Sequence, residues 1–354
     1  MAGRTGPVLP ATTQGTEWQV NLARKLAAKL VTGLIMIWVV ATATFFLVLE
    51  MPGNPALTVE ANDMSHGMSP QQAASATAAM FGFVPKQPLA DQYRHYIWQL
   101  LHFNLGVSIA QEGTPVSHIV ASAAPWTVIL AVFGIIFSFL IGVCLGVLSA
   151  IRRTTRLADG MTLLGAIING LPVYLIAILL FYVFTTIWAI FPQGGNVSVL
   201  ENPGWNAGYI GSIITHAILP VACYTLAGVG AWQLTTKSSV ISVLGDDFIL
   251  AAELRGLRPL TVARYVARNA MLPLFTILAI SLGLMFGGAV FIEDVFNYPG
   301  LGQLMISSIT TKDFPVLDGA FLLIIVAVIA ANILADLAYP LIDPRIRSAA
   351  GASS

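Results

Sequence analysis

Charge is scarce in this chain of 354 residues. It has 17 Lys and Arg against 17 Asp and Glu, 10% of the total, where soluble domains carry about 25%. Apolar residues make up 56% and mean hydropathy is +0.80, more hydrocarbon than one water-soluble core can hide. A soluble globule is excluded, and lipid must be part of the solvent. The net charge is zero and there is no long basic run, which excludes nucleic acid as a partner because phosphate binding needs clustered cations. The only two cysteines, Cys144 and Cys223, lie in apolar segments and read as small buried hydrophobes, not as a disulfide framework or zinc site. There is no HExxH, no GxSxG and no catalytic carboxylate pair, so an enzyme is disfavoured. There is also no GxxxxGK[ST] loop, and no Gly precedes a Lys anywhere. The chain cannot hydrolyse ATP through a P-loop of its own.

Six stretches are long and apolar enough to cross a hydrocarbon core about 30 Å thick. They lie near Leu30 to Leu49, Trp126 to Ala150, Leu163 to Ile190, Ile210 to Gln233, Leu272 to Ile292 and Val316 to Leu337, with Pro172 and Pro220 expected as kinks inside the third and fourth. The fold class expected is an all-α, polytopic integral membrane protein. Cations stay on the cytoplasmic side of spans. With the N-terminus inside, the inner segments hold 14 of the 17 cations and only Lys86, Arg94 and Lys312 fall outside. Six spans return the C-terminus to the cytoplasm, so both termini are expected inside the cell membrane. Residues 1–29 read as a largely disordered cytoplasmic tail, 30–343 as the membrane domain and 344–354 as a second cytoplasmic tail. The six spans read as free of Lys, Arg, Asp and Glu until Asp336, which disfavours ion coupling.

The outer segment 50–125 is too long for a simple connection and is expected to form a subdomain. Leu89, Tyr93, Ile97, Leu100 and Leu101 recur in it at helical spacing, predicting an amphipathic helix. His66, His95, His102 and His118 share the segment, but their spacing matches no metal site. His216, in the fourth span, is expected to hydrogen-bond to a neighbouring helix.

The longest inner connection, 234–271, carries Leu250-Ala251-Ala252-Glu253-Leu254-Arg255-Gly256, a helix-forming run with small residues closed by a glycine suited to the left-handed cap. Arg258-Pro259, then Arg264, Arg268 and Leu272-Pro273, lead back to the membrane. A short helix, a tight glycine turn and a rigid return make a lever that an external motor could move.

This segment resembles the EAA loop of ABC importer permease subunits. Ala251, Ala252 and Gly256 match, as does the closing Leu272-Pro273, while Leu250 stands where the leading Glu would be. Four further runs resemble the dipeptide and oligopeptide permease branch: Met51-Pro52-Gly53-Asn54-Pro55, Asn104-Leu105-Gly106-Val107-Ser108, Glu293 to Gly302, and Asp343-Pro344-Arg345-Ile346-Arg347. The resemblance implies a type I ABC importer transmembrane-domain fold supplying half of a peptide pathway by alternating access. It implies a second permease subunit, usually in a heterodimer, two ATP-binding subunits holding ATP and Mg, and an extracytoplasmic solute-binding protein. It implies no catalytic residue, cofactor or metal in this chain. ATPase coupling would fall to Ala251, Ala252, Glu253, Arg255, Gly256 and Arg258. The turn Tyr298-Pro299-Gly300-Leu301-Gly302 would lie on the outer face, either at the pathway mouth or as a purely structural re-entry. Asn169, Tyr174 and Gln233 are candidates to line the pathway. Relatives carry oligosaccharides, nickel or other small solutes, so cargo stays open, and a channel or membrane scaffold is the rival of another class.

Overall fold

A computed structural model describes residues 11–50, 54–84, 86–111 and 113–342. Among them the only non-helical pairing is an isolated antiparallel bridge between Val107 and Pro115. The chain is all-α. The first helix, α1 (Ala11–Glu50), is 40 residues long. It begins well ahead of Leu30, so the part of the tail from residue 11 to 29, expected to be disordered, is helical. The apolar run propagates helix into its polar flank because each added residue gains a hydrogen bond once a nucleus exists.

Three short helices follow: α2 (Pro55–Ser65), α3 (Pro70–Phe81) and α4 (Leu89–Leu101). Their boundaries are written locally. Asn54 caps α2 ahead of Pro55; Ser69 and Gln72 form a reciprocal capping box on α3, which ends at left-handed Gly82. The predicted amphipathic helix exists as α4, but its stripe is narrower than expected. Tyr96 is buried and Tyr93, Ile97 and Leu100 pack against α1 residues Ala41 and Phe45 and against Phe314, while Leu89 and Leu101 are 53% and 69% exposed.

The long helix α5 (Val116–Ile151) absorbs Pro125. Next come α6 (Arg156–Gly170) and α7 (Val173–Phe181), which runs on into a π-helical turn, Tyr182–Ile187. The third expected span is therefore not one kinked helix. The two halves meet at 99°. Pro172 sits ahead of α7 instead of inside a helix, and Leu171 before it is extended at φ −81°, ψ 131°, because a proline ring clashes with an α-helical predecessor. Pro220, by contrast, does lie inside α8 (Ala207–Leu244). The chain closes with α9 (Asp247–Leu254), α10 (Pro259–Val295), α11 (Leu301–Thr311) and α12 (Phe314–Ile342).

Among the described residues, four segments are singly long and apolar enough to span: Ala27–Glu50, Val116–Ile151, Ala207–Leu244 and Phe314–Leu334, with the bent α6–α7 pair as a fifth. The stretch Leu272 to Ile292 lies within the 37 residues of α10.

The bundle is built on α5 and α8. Gly134, Ser138, Gly142, Gly146 and Ala150 recur every fourth residue along α5, all buried. A β-carbon on Gly134, Gly142 or Gly146 would overlap the side chains of Tyr224, Trp232 and Thr236 on α8. Small residues at this spacing let two backbones approach closely where lipid gives no hydrophobic drive to associate. Around this seam a central cluster of Leu130, Ile176, Leu219, Tyr224, Ile292, Phe296 and Tyr298 joins α5, α7, α8 and α10.

Candidate functional site

At one end of the bundle α8 runs straight into α9, the helix predicted from residues 250 to 256. Ile249 and Ala252 are 2% and 6% exposed and pack with Ala150, Val240, Val243, Val266 and Ala270. Ala252 is thus a seat that holds α9 against α5, α8 and α10. Ala251, Glu253, Arg255, Gly256 and Arg258 are all exposed. The turn after α9 is a Schellman cap. The Gly256 N–H donates to Glu253 O at 2.9 Å and the Leu257 N–H to Ala252 O at 3.3 Å, with Gly256 at φ +71°. Nothing lies within 4 Å of where a Gly256 β-carbon would stand, so its conformation, not crowding, calls for glycine. The exposed side carries apolar groups that the sequence motif did not single out: Phe248 (44%), Leu254 (80%) and Leu260 (83%). Arg255, Arg258, Arg264 and Arg268 are exposed in the same segment. Exposed apolar and cationic groups on a two-turn helix and its flank suit docking against another protein.

At the other end, the turn from Tyr298 to Gly302 is a packing node. Tyr298 is fully buried. Glu293, 0% exposed, accepts at Oε2 from the Gly302 N–H at 2.7 Å and the Gln303 N–H at 3.3 Å, capping the N-terminus of α11 from across the turn. The Thr127 hydroxyl on α5 accepts from the Leu301 N–H at 2.7 Å. A β-carbon on Gly300 would overlap the Glu293 carboxylate, and one on Gly302 would overlap the Val290 backbone. Burial, then the neighbouring Glu293 charge, pushes the Tyr298 phenol above its ordinary pKa. The geometry is that of a tight, buried turn.

The Asn104 to Ser108 motif is likewise a joint. Gly106 has φ +82° and its missing β-carbon would overlap Met80 O. The Ser108 hydroxyl donates to Asp313, whose carboxylate also accepts from the Ile109 and Ala110 N–H groups, each at 3.2 Å. The two flanking motifs, Met51 to Gly53 and Asp343 to Arg347, lie outside the described residues.

The three candidate pathway residues are not brought together at one surface. Gln233 is 3% exposed, and its amide donates to Met161 O at 2.7 Å and to the Ser149 hydroxyl at 3.4 Å. It ties α8 to α6 and α5, and a buried helix-joining amide does not face a pathway at this chain's surface. Asn169 is exposed beside Gly230, and Tyr174 is 44% exposed with its ring 6.0 Å from that of Phe291. His216 does not reach a neighbouring helix as expected: it bonds within its own, to Ser212 O at 2.7 Å, because the carbonyl one turn back is the nearest partner.

One ionisable group escaped the sequence reading. Asp318, just inside the start of the last expected span, contradicts the absence of charge before Asp336. It accepts from the Tyr96 hydroxyl at 2.7 Å, so a partner on α4 compensates it. Burial first, then the Asp318 charge, raises the Tyr96 phenol well above its ordinary pKa and keeps it a neutral donor. No group of three or more His, Cys, Asp or Glu able to hold a metal occurs among the described residues.

Residues 142–348 match the family described as binding-protein-dependent transport system inner membrane component. A protein of Brucella suis biovar 1 that carries a provisional peptide-permease name is 34% identical over 320 residues, covering 90% of this chain and 97% of its own length. The dipeptide transport system permease protein of Escherichia coli K12 is 31% identical over 325 residues, 86% of this chain and 93% of its own. The family match spans over half the sequence, from the middle of α5 past α12, and these relatives extend the likeness through the outer subdomain. On that match and those relatives, and with several helices able to cross a bilayer, the chain belongs to the family of inner membrane permease components of binding-protein-dependent transport systems.

Proposed function

We propose that this permease carries peptides inward as one half of a two-subunit pathway, driven by ATP-binding subunits that dock on α9. The observation that carries the coupling role is the build of α9: buried Ile249 and Ala252 fix it to α5, α8 and α10, while Phe248, Leu254, Arg255 and Arg258 face outward. Peptide cargo is supported by the printed names of relatives that match 86% to 90% of the chain. Alternating access follows from the connection. A push on α9 reaches α8 and α10 directly, and α8, about 57 Å long at 1.5 Å per residue, reaches the far end of the bundle.

In this reading both termini are cytoplasmic and α10 supplies the sixth span, an orientation supported by the sequence segments it puts inside, which hold 14 of the 17 cations. The partners are a second permease, two ATPases holding ATP and Mg, and an extracytoplasmic solute-binding protein. Residues 30–343 form the membrane domain, 50–125 its outer subdomain and 234–271 its coupling loop. Ala251, Glu253, Arg255 and Arg258 contact the ATPase, with Ala252 and Gly256 holding the helix to present them. Co-purification tests the coupling surface. Wild-type chain should retain the ATPase subunits through affinity capture, and Leu254→Glu or Ala251→Trp should lose them while keeping the second permease. Equal ATPase recovery from all three would refute docking at α9.

A further inference from the structure

The groove between α1 and α12, at the end of the bundle shared with α2, has no part in the reading above. It encloses about 680 Å³, within the range of about 300 to 1,000 Å³ typical of small-ligand sites. Its walls are mostly apolar: Leu47 and Val48 from α1, Val59 from α2, and Phe314, Leu317 and Phe321 from α11–α12. Leu47 and Phe321 are 57% and 38% exposed on helices apolar enough to span, so the groove opens at an apolar surface. Two charged groups of opposite sign line the same space, Lys312 and Asp318.

Neither charge is used up by the protein. Lys312 is exposed and has no ion-pair partner among the described residues, because the adjacent carboxylate of Asp313 is taken by Ser108, Ile109 and Ala110. It also occupies a left-handed position, φ +57°, at the end of α11, where glycine is the ordinary choice. Asp318 spends Oδ2 on Tyr96, while its buried Oδ1 has no hydrogen-bond partner. Asp318 itself lines the groove beside Thr44.

We propose that the groove holds one zwitterionic aminophospholipid. An acyl chain lies between α1 and α12, the phosphate sits on Lys312 and the headgroup ammonium reaches Asp318. Charge complementarity selects this occupant. A cation and an anion on one apolar groove match a phosphate and an amine on one molecule, and the cavity sits where the helix ends meet the headgroup layer.

The test uses the full chain in nanodiscs doped with photoactivatable phosphatidylethanolamine or photoactivatable phosphatidylglycerol, with crosslinks mapped by peptide. The ethanolamine probe should label the segments 44–48 and 309–321 several-fold above the glycerol probe. Lys312→Gln and Asp318→Asn should each cut that labelling about tenfold, with Lys312→Arg restoring it. The Asn variant keeps an acceptor for Tyr96, and an unchanged melting temperature for each variant separates lost binding from lost fold. Millimolar inorganic phosphate should not compete. Equal labelling by both probes, labelling spread evenly over all lipid-facing helices, or indifference to both substitutions would overturn the site. None of these outcomes depends on cargo or ATPase docking.

Discussion

Glu293 shows how one residue in this permease can hold several elements. Its buried carboxylate satisfies two N–H groups at the start of α11 while its own backbone closes the turn to Tyr298, whose N–H donates to Glu293 O at 2.8 Å. Glu293→Ala would leave those donors unpaired, at about 1 to 3 kcal/mol. The purified chain should melt at a lower temperature, whereas Glu293→Gln, which retains an acceptor, should lose less. Gly106→Ala should be worse than either single hydrogen-bond loss. It combines a positive φ with a β-carbon overlapping the Met80 carbonyl, and neither can relax without moving the outer subdomain. The sequence marks both residues through recurring motifs, but a motif does not say whether it serves a ligand or a turn. Only the positions of Val290, Met80 and Thr127, far away or across a helix, decide that these are joints. Asp318 was legible as a charge inside an apolar run; what compensates it was not, because Tyr96 comes from another part of the chain.

Elements were readable where local chemistry sets them. The left-handed Gly256 after α9 follows from residue type; the caps at Asn54 and Ser69 went unread, though their residue types suit them. The break between α6 and α7 was half legible: Pro172 announced a disturbance, yet whether a proline kinks a helix or ends it depends on the neighbours, and Pro220 and Pro172 differ in outcome. The glycine seam of α5 could have been found from its spacing of four, a signal that hydropathy averages away. It carries a paired prediction. Gly142→Ala forces α5 off Trp232 and should destabilise the chain by about 1 to 3 kcal/mol. Gly160→Ala on α6, where nothing stands within 4 Å, should be neutral or stabilising by up to about 1 kcal/mol, since alanine favours helix. Thermal unfolding in one detergent compares the two, and equal effects would contradict close packing along the seam.

Across the whole molecule, the scarcity of charge is spent at the two ends of the bundle. At one end, acids pair with donors from the segment 50–125: Glu60 with Lys86 at 2.7 Å, Asp313 with Ser108, Asp318 with Tyr96. The other end leaves Arg255, Arg258, Arg264 and Arg268 exposed around α9, as suits a surface completed by another protein. Between the ends runs α8, bonded to α6 by Gln233 and by Lys237, whose ammonium donates to Thr162 at 2.7 Å; in the proposed mechanism it carries the motion from one to the other. Gln233→Leu should therefore weaken transport more than ATPase binding, a difference that uptake and co-purification from the same cells would register.

The central claim is that α9 couples ATP hydrolysis to peptide import. Gly256→Val tests it most directly, because nothing crowds the site and the substitution acts only through the left-handed turn, at about 1 to 2 kcal/mol, or roughly tenfold in the population of the presented helix. In proteoliposomes holding the complete complex, uptake of a labelled dipeptide should require ATP and fall about tenfold with Gly256→Val while the assembled subunits still hydrolyse ATP. Uptake that proceeds without ATP, or that is unchanged by the substitution, would contradict the account.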